Sequence, residues 1–280
     1  MKIKQALEKA IKVLKEAGVE TPSLDAQIIL AHILKIPRWK LIVQSDEELT
    51  DRELNTFFSL IKKRAERFPV AYIIGEKEFF GIKFIVNEGV LIPRPETEIL
   101  VETVLEKIKD RKEPVGIEVG VGSGAIAVSL LKNKPDLKII ATDISNIAIE
   151  TSKKNAILHK VDNRLKILKA DKLNSINGKF DFIVSNPPYI PYYEYETLQP
   201  EVKKEPKLAL LAKDNGLEFY KDIIKKGYNL LKRNGFFAFE VGYNQAEEVE
   251  KLLQKKGLKT EKIKDLQGIH RVVIGEKYEK

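Results

Sequence analysis

Two short segments of this 280-residue chain carry residue types that could perform chemistry, and each follows a run of apolar residues. One is Gly120-Val121-Gly122-Ser123-Gly124, and the other is Asn186-Pro187-Pro188-Tyr189. Glycines let a ligand approach the backbone closely because they lack a Cβ atom. An asparagine beside two prolines can hold a planar NH2 group, because the prolines restrict the backbone around it. Together the two segments indicate a site that transfers a methyl group to an amide or amine nitrogen.

Carboxylates near the glycine run would complete the donor side of such a site. Asp143 ends the next predicted strand, about 20 residues on, where a carboxylate can accept hydrogen bonds from both hydroxyls of a ribose. Asp171 ends the third predicted strand and could accept a hydrogen bond from an adenine amino group. Glu118, just before the glycine run, could orient the loop or hold an ammonium group of the donor. Two aspartates at successive strand ends favour a binding role over the alternative of ordinary loop acids.

The glycine run does not by itself distinguish a methyl donor from a nicotinamide dinucleotide. The dinucleotide pattern is G-x-G-x-x-G, and Ala125 at its last position is tolerated in that pattern. The Asn-Pro-Pro-Tyr run is more informative, because a dinucleotide enzyme would have no use for it. The alternative for that run is an ordinary proline turn after a strand.

An amide nitrogen is a weak nucleophile, since its lone pair is delocalised into the carbonyl group, so catalysis depends on positioning. The side-chain oxygen of Asn186 can accept one N–H of such an amide, and the backbone carbonyl of Pro187 can accept the other. Pro187 and Pro188 would hold these acceptors in place before the substrate binds. Tyr189 could place its ring against the planar amide. The scheme needs no general base, because the product loses its proton after the transfer.

The order of predicted elements divides the chain into three parts. Residues 1–70 show helical spacing of apolar residues and are predicted to form a small helical bundle. Thr21 is the expected N-cap of its second helix, and Thr50 opens a capping box. Residues 71–92 are β-prone and aromatic, which predicts a β-hairpin linker. Residues 93–280 form the third part, in which strands and helices alternate.

This alternation is typical of a mostly parallel sheet that helices cover on both faces. We therefore predict an α/β fold with a Rossmann-like sheet, in which ligands bind beyond the carboxyl ends of the strands. The hairpin strands are expected at 71–75 and 79–86. In the third part, strands are expected at 115–119, 138–142, 165–169, 180–185, 235–241, 259–264 and 270–275, and helices at 124–132, 146–158, 216–232 and 244–256.

The composition excludes several classes of chemistry. The chain has no cysteine, which rules out disulfides, thiolate metal sites and thiol nucleophiles. Its three histidines lack metal-ligand spacing, so no metal is expected. The apolar runs are far shorter than the roughly 20 residues of a membrane span, and no signal peptide is evident, so we expect a cytoplasmic protein and no membrane partner. The net charge of +8 is spread along the chain, which predicts a lysine-rich surface without a dedicated nucleic-acid groove.

Several longer runs resemble the HemK-type release factor glutamine methyltransferases, and the resemblance spans nearly the whole chain. These enzymes use S-adenosylmethionine to methylate the glutamine amide in the Gly-Gly-Gln motif of peptide chain release factors. The runs that carry the resemblance are residues 69–79 (PVAYIIGEKEF), 90–98 (VLIPRPETE), 122–127 (GSGAIA), 184–190 (VSNPPYI) and 265–271 (DLQGIHR).

The resemblance implies three structural parts: a helical N-terminal domain that helps to dock the release factor, a β-hairpin linker and a seven-stranded methyltransferase domain. Residues 120–124, Asp143 and the region of Asp171 would bind S-adenosylmethionine, which leaves as S-adenosylhomocysteine. The methyltransferase would need no metal, and we expect a monomer.

The resemblance also assigns the acceptor side. The run from Asn186 to Tyr189 would hold the substrate glutamine, with Asn186 also near the donor, and Arg94 and Glu96 would form part of the pocket wall. Two positions depart from the family pattern: Glu118 stands where an aspartate is usual, and Lys172 stands where an apolar or aromatic residue is frequent.

Three other functions stay open at this point. A glutamine methyltransferase that acts on a ribosomal protein would carry nearly the same motifs. An adenine-amine methyltransferase that acts on nucleic acid should have an additional target-reading region and a strong basic groove. A non-catalytic RNA- or ribosome-binding protein on a degenerate fold would be expected to lose the glycine run or the Asn-Pro-Pro-Tyr run, and both are intact here. The extended resemblance over 69–98 favours the release factor.

Overall fold

The structure, a computed structural model that describes residues 1–278, contains two compact units. The first unit comprises Met1–Glu76 together with the short segment Gln199–Lys204. The second unit comprises Lys77–Leu198 and the chain from Glu205 onward. The last two residues of the predicted third part lie outside the described residues. No helix within residues 1–278 has both the length and the apolar character needed to cross a membrane.

Five helices form the first unit and pack around an apolar cluster. The first helix buries apolar residues spaced three or four positions apart, from Ile3 to Leu14, so one face of it lies against its neighbours. The predicted helical region is therefore confirmed. The helices are α1 (Ile3–Glu16), α2 (Pro22–Leu34), α3 (Lys40–Val43), α4 (Asp51–Ala65) and α5 (Val70–Ile74).

The starts of α2 and α4 test the two predicted caps. Thr50 Oγ1 accepts a hydrogen bond from the backbone N–H of Glu53 (3.3 Å), and Glu53 Oε2 accepts one from the backbone N–H of Thr50 (2.8 Å), which confirms the capping box. Thr21 is the N-cap residue of α2, as predicted, but its side chain caps no backbone N–H, because its hydroxyl donates to Asp25 Oδ1 (2.9 Å). Asp25 is buried and binds Arg64 Nε (2.7 Å), so Thr21 helps to satisfy a buried carboxylate.

The segment 71–75, expected to be the first hairpin strand, is helical instead. Its residues belong to α5, which packs against α2 and α4, and this tertiary contact overrides their β propensity. Gly75 ends the helix in the left-handed conformation, with φ 76°. The hairpin therefore consists of β1 (Glu76–Phe79) and β2 (Ile82–Ile85), joined by a two-residue turn with positive φ at both positions.

A seven-stranded sheet organises the second unit and confirms the predicted Rossmann-like α/β fold. Its strands are β3 (Val115–Val119), β4 (Lys138–Asp143), β5 (Leu165–Lys169), β6 (Phe180–Ser185), β9 (Leu231–Glu240), β10 (Lys259–Lys264) and β11 (His270–Glu276), while β7 (Ile190–Pro191) and β8 (Leu211–Ala212) pair separately. The order across the sheet is β10-β11-β9-β6-β3-β4-β5. The five strands from β9 to β5 run parallel, and β11 is antiparallel to both of its neighbours, β9 and β10.

Helices cover both faces of this sheet, so its central strands are buried on both sides. Successive side chains of β6 illustrate this, because Phe182 joins an apolar cluster with residues of three helices and Ile183 joins another cluster on the opposite face. The helices are α6 (Thr97–Ile108), α7 (Ala125–Asn133), α8 (Asn146–Leu158), α9 (Lys207–Leu210), α10 (Glu218–Gly227) and α11 (Ala246–Gln254).

The predicted helix over 216–232 extends too far at its C-terminal end. Helix α10 stops at Gly227, and β9 begins at Leu231, earlier than the predicted start at 235. Leu231 pairs with Phe180 in the sheet, so strand pairing uses a residue that also fitted the helical pattern.

Candidate functional site

The sheet topology brings the two chemical motifs together. Strands β3 and β6 are parallel neighbours, with Glu118 opposite Val184, so their carboxyl ends lie side by side. The glycine run follows β3, and the Asn-Pro-Pro-Tyr run follows β6. The chain order reverses here, because β4 lies on the other side of β3. Ligands of open α/β sheets bind at such a reversal point.

A cavity lies at this point, and most of the predicted site residues line it. These residues are Arg94, Glu118, Gly120, Val121, Gly122, Ser123, Asp143, Asp171, Lys172, Asn186, Pro187 and Pro188. Glu96, Gly124 and Tyr189 lie outside the lining. The cavity therefore joins the predicted donor side to Asn186 and the two prolines of the predicted acceptor side.

The glycine run forms one wall of the cavity. Gly120 and Gly122 have left-handed φ values of 81° and 53°, and a Cβ atom on either would meet no protein atom within 4 Å. These two positions therefore leave room for a ligand against the backbone. Gly124 has a different function, since its Cβ atom would lie 3.2 Å from the side chain of Ser152 on α8. Gly124 therefore permits close packing between helices, and the cofactor contact predicted for it stays a prediction.

Glu118 lies at the end of β3 and is buried. Its Oε2 accepts a hydrogen bond from the backbone N–H of Ala127 in the first turn of α7 (2.9 Å). Burial raises the pKa of Glu118 well above its ordinary value, the Ala127 N–H opposes this shift, and the nearby charge of Asp143 adds to it. Glu118 therefore fixes the start of α7 against the strand end and also presents a carboxyl group to the cavity.

Asp143 connects the end of β4 to the glycine run. Its Oδ2 accepts the backbone N–H of Gly122 (3.0 Å), and its Oδ1 accepts the backbone N–H of Ser145 (2.9 Å). Each carboxylate oxygen has more than one acceptor position, so both can still accept hydrogen bonds from ligand hydroxyls. The buried Asn155 supports the same loop, because its Nδ2 donates to the backbone oxygens of Ser123 (2.8 Å) and Ile85 (2.9 Å).

Asp171 and Lys172 form another part of the wall. The Nζ of Lys172 lies 3.4 Å from Asp171 Oδ1 and 3.0 Å from Asp222 Oδ2. The same ammonium group lies over the ring of Phe219, 4.9 Å from its centroid. Lys172 is thus held by charged neighbours and an aromatic ring. Ile144 and Phe219 add apolar surface to this wall.

The turn after β6 is held by side chains from distant parts of the chain. Asn186 Nδ2 donates to Thr97 Oγ1 on α6 (3.2 Å), which leaves Asn186 Oδ1 as the acceptor end of the amide. Gln245 Nε2 donates to the backbone oxygen of Tyr189 (2.8 Å), and Gln245 Oε1 accepts the backbone N–H of Gly242 (3.1 Å). The turn is therefore fixed at both ends.

Tyr189 lies outside the cavity lining. Its ring packs against the apolar cluster next to α10 and α11, and its hydroxyl donates to Glu240 Oε1 (3.4 Å). Burial raises the pKa of the Tyr189 hydroxyl, and the charge of Glu240 adds to the shift. Burial likewise raises the pKa of Glu240 to about 7. The contact of the Tyr189 ring with a substrate amide stays a prediction.

Arg94 lines the cavity and forms an ion pair with the buried Glu205. The other carboxylate oxygen of Glu205 accepts the backbone N–H of Ile92 (3.0 Å). Arg94 and Glu205 therefore connect the segment before α6 to the segment before α9. Glu96 occupies the N-cap position of α6.

The sequence analysis missed the residues that support the site from behind, namely Thr97, Asn155, Glu205, Glu240 and Gln245. Glu240 carried a usable signal, because it is a charged residue at the end of the apolar run FFAFE, as Asp143 is at the end of its strand. Thr97 and Gln245 carry no such signal, since each reads as an ordinary residue near the start of a helix.

The chemical character of the lining fits a nucleoside methyl donor. Gly120 and Gly122 provide space against the backbone, Asp143 offers oxygens to hydroxyl groups, and Phe219 with Ile144 provides apolar surface for a flat ring. Within residues 1–278, no group of three or more acidic or histidine side chains is placed to hold a metal ion.

Comparisons with known proteins agree with this geometry. A family model described as the PrmC N-terminal domain matches residues 5–75, and one described as the methyltransferase small domain matches residues 95–199. The release factor glutamine methyltransferase of Aquifex aeolicus is 45% identical over 91% of each chain. That of Clostridium botulinum is 41% identical over 99% of this chain and all of its own.

A solved structure shows the same fold at low sequence identity. It is the N-terminal domain of human METTL16 in complex with SAH, which is 16% identical with a TM-score of 0.54. The match covers 95% of this chain and 94% of that one.

Proposed function

Because this chain belongs to the release factor glutamine methyltransferase family, we propose that it methylates the side-chain amide nitrogen of the glutamine in the Gly-Gly-Gln motif of peptide chain release factors. The observation that carries this proposal is the cavity at the ends of β3 and β6, where the glycine run meets Asn186. We expect the protein to act in the cytoplasm, as an enzyme of translation would.

The donor in this proposal is S-adenosylmethionine, which supplies an electrophilic methyl group when bound and leaves as S-adenosylhomocysteine. Gly120 and Gly122 let its chain lie against the backbone, and Asp143 accepts hydrogen bonds from its ribose hydroxyls. The apolar wall with Phe219 and the region of Asp171 and Lys172 hold the adenine. Glu118 holds the start of α7 behind the glycine run, and its carboxyl group in the cavity lining can accept a hydrogen bond from the ammonium group of the donor.

The acceptor side positions the glutamine amide for in-line attack. Asn186 Oδ1 accepts one N–H of the amide, and the backbone carbonyl of Pro187 accepts the other. These contacts fix the plane of the amide, so that its nitrogen faces the methyl group. The nitrogen loses one proton to solvent after the transfer, so no side chain has to act as a base. Pro188 keeps the turn rigid while the substrate binds.

We assign docking of the release factor to the helical part of the chain, residues 1–70, with the hairpin part, 71–92, as a linker to the methyltransferase part, 93–280. Trp39, Ile42 and Val43 support this assignment, because their side chains are 61%, 76% and 75% exposed in the first unit. Large apolar residues exposed together are typical of a protein interaction surface. We retain the prediction of a monomer.

The test is transfer of labelled methyl from S-adenosylmethionine to a purified release factor, beside its Gly-Gly-Gln→Gly-Gly-Ala variant. We expect label on the first protein and none on the second. Equal labelling of both would place the reaction on another residue. No labelling of either, with donor binding confirmed by calorimetry, would contradict the release factor as substrate and direct the search to ribosomal proteins and nucleic acid.

A further inference from the structure

The segment 171–174, which follows β5, is tied to one face of α10. Phe219, Asp222 and Lys226 lie on that face, because residues three and four positions apart are neighbours on a helix surface. Phe219 lines the cavity, while Asp222 and Lys226 bind side chains of the segment. The cavity wall after β5 is therefore held by a helix that is distant in the chain.

The contacts of Lys172 account for its whole ammonium group. The Nζ atom lies 3.0 Å from Asp222 Oδ2 and 3.4 Å from Asp171 Oδ1, and it lies over the ring of Phe219. An ammonium group has three protons to donate. Two can bind the carboxylates and the third can face the ring, which leaves none for a ligand in the cavity. An effect of Lys172 on a ligand must therefore act through a neighbour.

That neighbour is Asp171, whose carboxylate is held at both oxygens. Its Oδ1 faces Lys172, and its Oδ2 accepts a hydrogen bond from Asn174 Nδ2 (3.3 Å). Lys226 Nζ donates to Asn174 Oδ1 (2.5 Å), which keeps the NH2 end of that amide toward Asp171. Each carboxylate oxygen still has a further acceptor position. Because the Asp171 side chain is 56% exposed, these contacts decide where its remaining acceptor positions point.

The backbone of Lys172 indicates that these contacts serve more than stability. Its φ is 54°, in the left-handed region that residues with a side chain rarely adopt. Such conformations persist where surrounding contacts enforce them, and they cluster at ligand sites. The two carboxylates that Lys172 binds are 56% and 42% exposed, and ion pairs of exposed groups contribute little to stability. Stability alone therefore does not explain a lysine at this position.

We propose that Lys172 is a positioning residue for donor selectivity, which fixes the Asp171 carboxylate as the acceptor for the 6-amino group of adenine and so disfavours a 6-oxo purine. A carboxylate can only accept, so it binds an amino group and repels a carbonyl oxygen. A site built to bind an NH2 group rejects an analogue that lacks it. A carboxylate free to turn away from the carbonyl oxygen would lose this selectivity. The inference rests on the nucleoside donor of the proposed function.

The test is calorimetric binding of S-adenosylhomocysteine and of S-inosylhomocysteine, which has a carbonyl oxygen in place of the 6-amino group. The wild type should bind the adenine compound about 10- to 150-fold more tightly, as expected for a hydrogen bond to a charged group. Lys172→Met removes the ammonium group and should reduce this ratio to about threefold, chiefly by weakening the adenine compound. Lys172→Arg should restore the ratio, because a guanidinium group can bind carboxylates and lie over an aromatic ring.

Two further variants separate selectivity from damage to the fold. Lys262 Nζ also joins two carboxylates, Glu247 (2.5 Å) and Glu250 (2.8 Å), but it does so between β10 and α11. Lys262→Met should therefore keep the wild-type ratio. Asp171→Asn introduces an NH2 group that can donate to the carbonyl oxygen, so its ratio should fall at least as far as that of Lys172→Met. General damage to the cavity would weaken both compounds equally and leave the ratio unchanged.

A wild-type ratio near one, an unchanged ratio in Lys172→Met, or a ratio that Lys172→Arg does not restore would overturn the inference. These measurements need no acceptor protein, so they are independent of the release factor. Loss of selectivity in Lys172→Met, without methyl transfer by the wild type to a release factor, would support the positioning role and contradict the proposed substrate. Methyl transfer with an unchanged ratio would overturn the positioning role and leave the proposed function intact.

Discussion

The donor side and the acceptor side of the cavity are built in different ways. On the donor side, Asp143 binds the N–H groups of Gly122 and Ser145, which lie 21 and 2 residues away in the chain. On the acceptor side, Asn186 depends on Thr97, which lies 89 residues away. The donor side thus supports itself through neighbouring loops, while the acceptor side relies on buried side chains of other elements. Substitutions should accordingly change donor affinity on one side and turnover on the other.

The largest effect is expected from Asn186→Ala, which removes the acceptor for the substrate amide. We expect kcat to fall by about 2–4 kcal/mol, or roughly 30- to 1,000-fold, as for other positioned polar contacts. Thermal stability and donor affinity should change little. Methyl-transfer kinetics and calorimetry measure these quantities.

The control for this substitution is Asn133→Ala at the end of α7, where the Asn133 Nδ2 donates to the backbone oxygen of Ser129 (2.8 Å). It should keep wild-type turnover. Near-normal kcat in Asn186→Ala would contradict the role of Asn186 as acceptor for the substrate amide. It would also contradict the contrast between a donor side that determines affinity and an acceptor side that determines turnover.

The reciprocal change on the donor side is Asp143→Ala. It removes hydrogen bonds to the ribose and to the glycine loop, so the affinity for S-adenosylmethionine should fall by about 1.5–3 kcal/mol, or roughly 10- to 150-fold. Turnover at saturating donor should stay near wild type, which calorimetry and saturation kinetics can separate. The exposed Asp136→Ala, which also removes a carboxylate that accepts a backbone N–H (3.0 Å), should bind the donor normally. A fall in kcat with unchanged donor affinity would contradict the proposed division, in which the donor side determines donor affinity and the acceptor side determines turnover.

The same contrast explains what the sequence could predict. The glycine run and Asp143 follow consecutive predicted strands, and parallel strands present their carboxyl ends at one edge of a sheet. Local spacing was therefore enough to place the donor side. Thr97 and Gln245 come from the starts of two different helices, so their contact with the turn is a product of tertiary packing.

One element shows where local pattern fails for the fold. Residues 71–75 have β-prone side chains but form α5, because packing against α2 and α4 decides their conformation. Gly124 shows what local pattern leaves out, because its lack of a side chain also permits the close contact with Ser152 on α8. Both contacts are made by other helices, which local spacing does not reveal.

A smaller effect is expected from Gly216→Ala, which acts behind the acceptor turn. Gly216 has a left-handed φ of 86°, and a Cβ atom there would lie 2.1 Å from the backbone oxygen of Tyr189. The backbone conformation alone should cost about 1–2 kcal/mol of stability. The clash should displace the turn and lower kcat, while donor affinity is retained. Thermal denaturation and kinetics would show both effects.

Gly257→Ala is the matched control, because Gly257 has a similar φ of 76° but no atom within 4 Å of the Cβ position. It should lose a similar amount of stability from the backbone and keep full turnover. Equal turnover in the two alanine variants would mean that methyl transfer tolerates a displaced acceptor turn. That result would contradict the proposed dependence of turnover on the residues that support this turn.

The smallest effect is expected from Tyr189→Phe, which keeps the ring and removes only the hydroxyl. The bond to Glu240 is long at 3.4 Å, so kcat at alkaline pH should fall by no more than about twofold, the low end for a hydrogen bond. That bond lowers the pKa of Glu240, so its loss should raise the pKa of this buried carboxyl group, and the fall in thermal stability as the pH rises through about 7 should move to higher pH. Tyr243→Phe, at a residue that is 70% exposed, should leave this pH dependence of stability unchanged. A stability profile that stays in place or moves to lower pH would contradict the stabilisation of ionised Glu240 by the Tyr189 hydroxyl, and a much larger loss of kcat would show that the hydroxyl acts on the substrate.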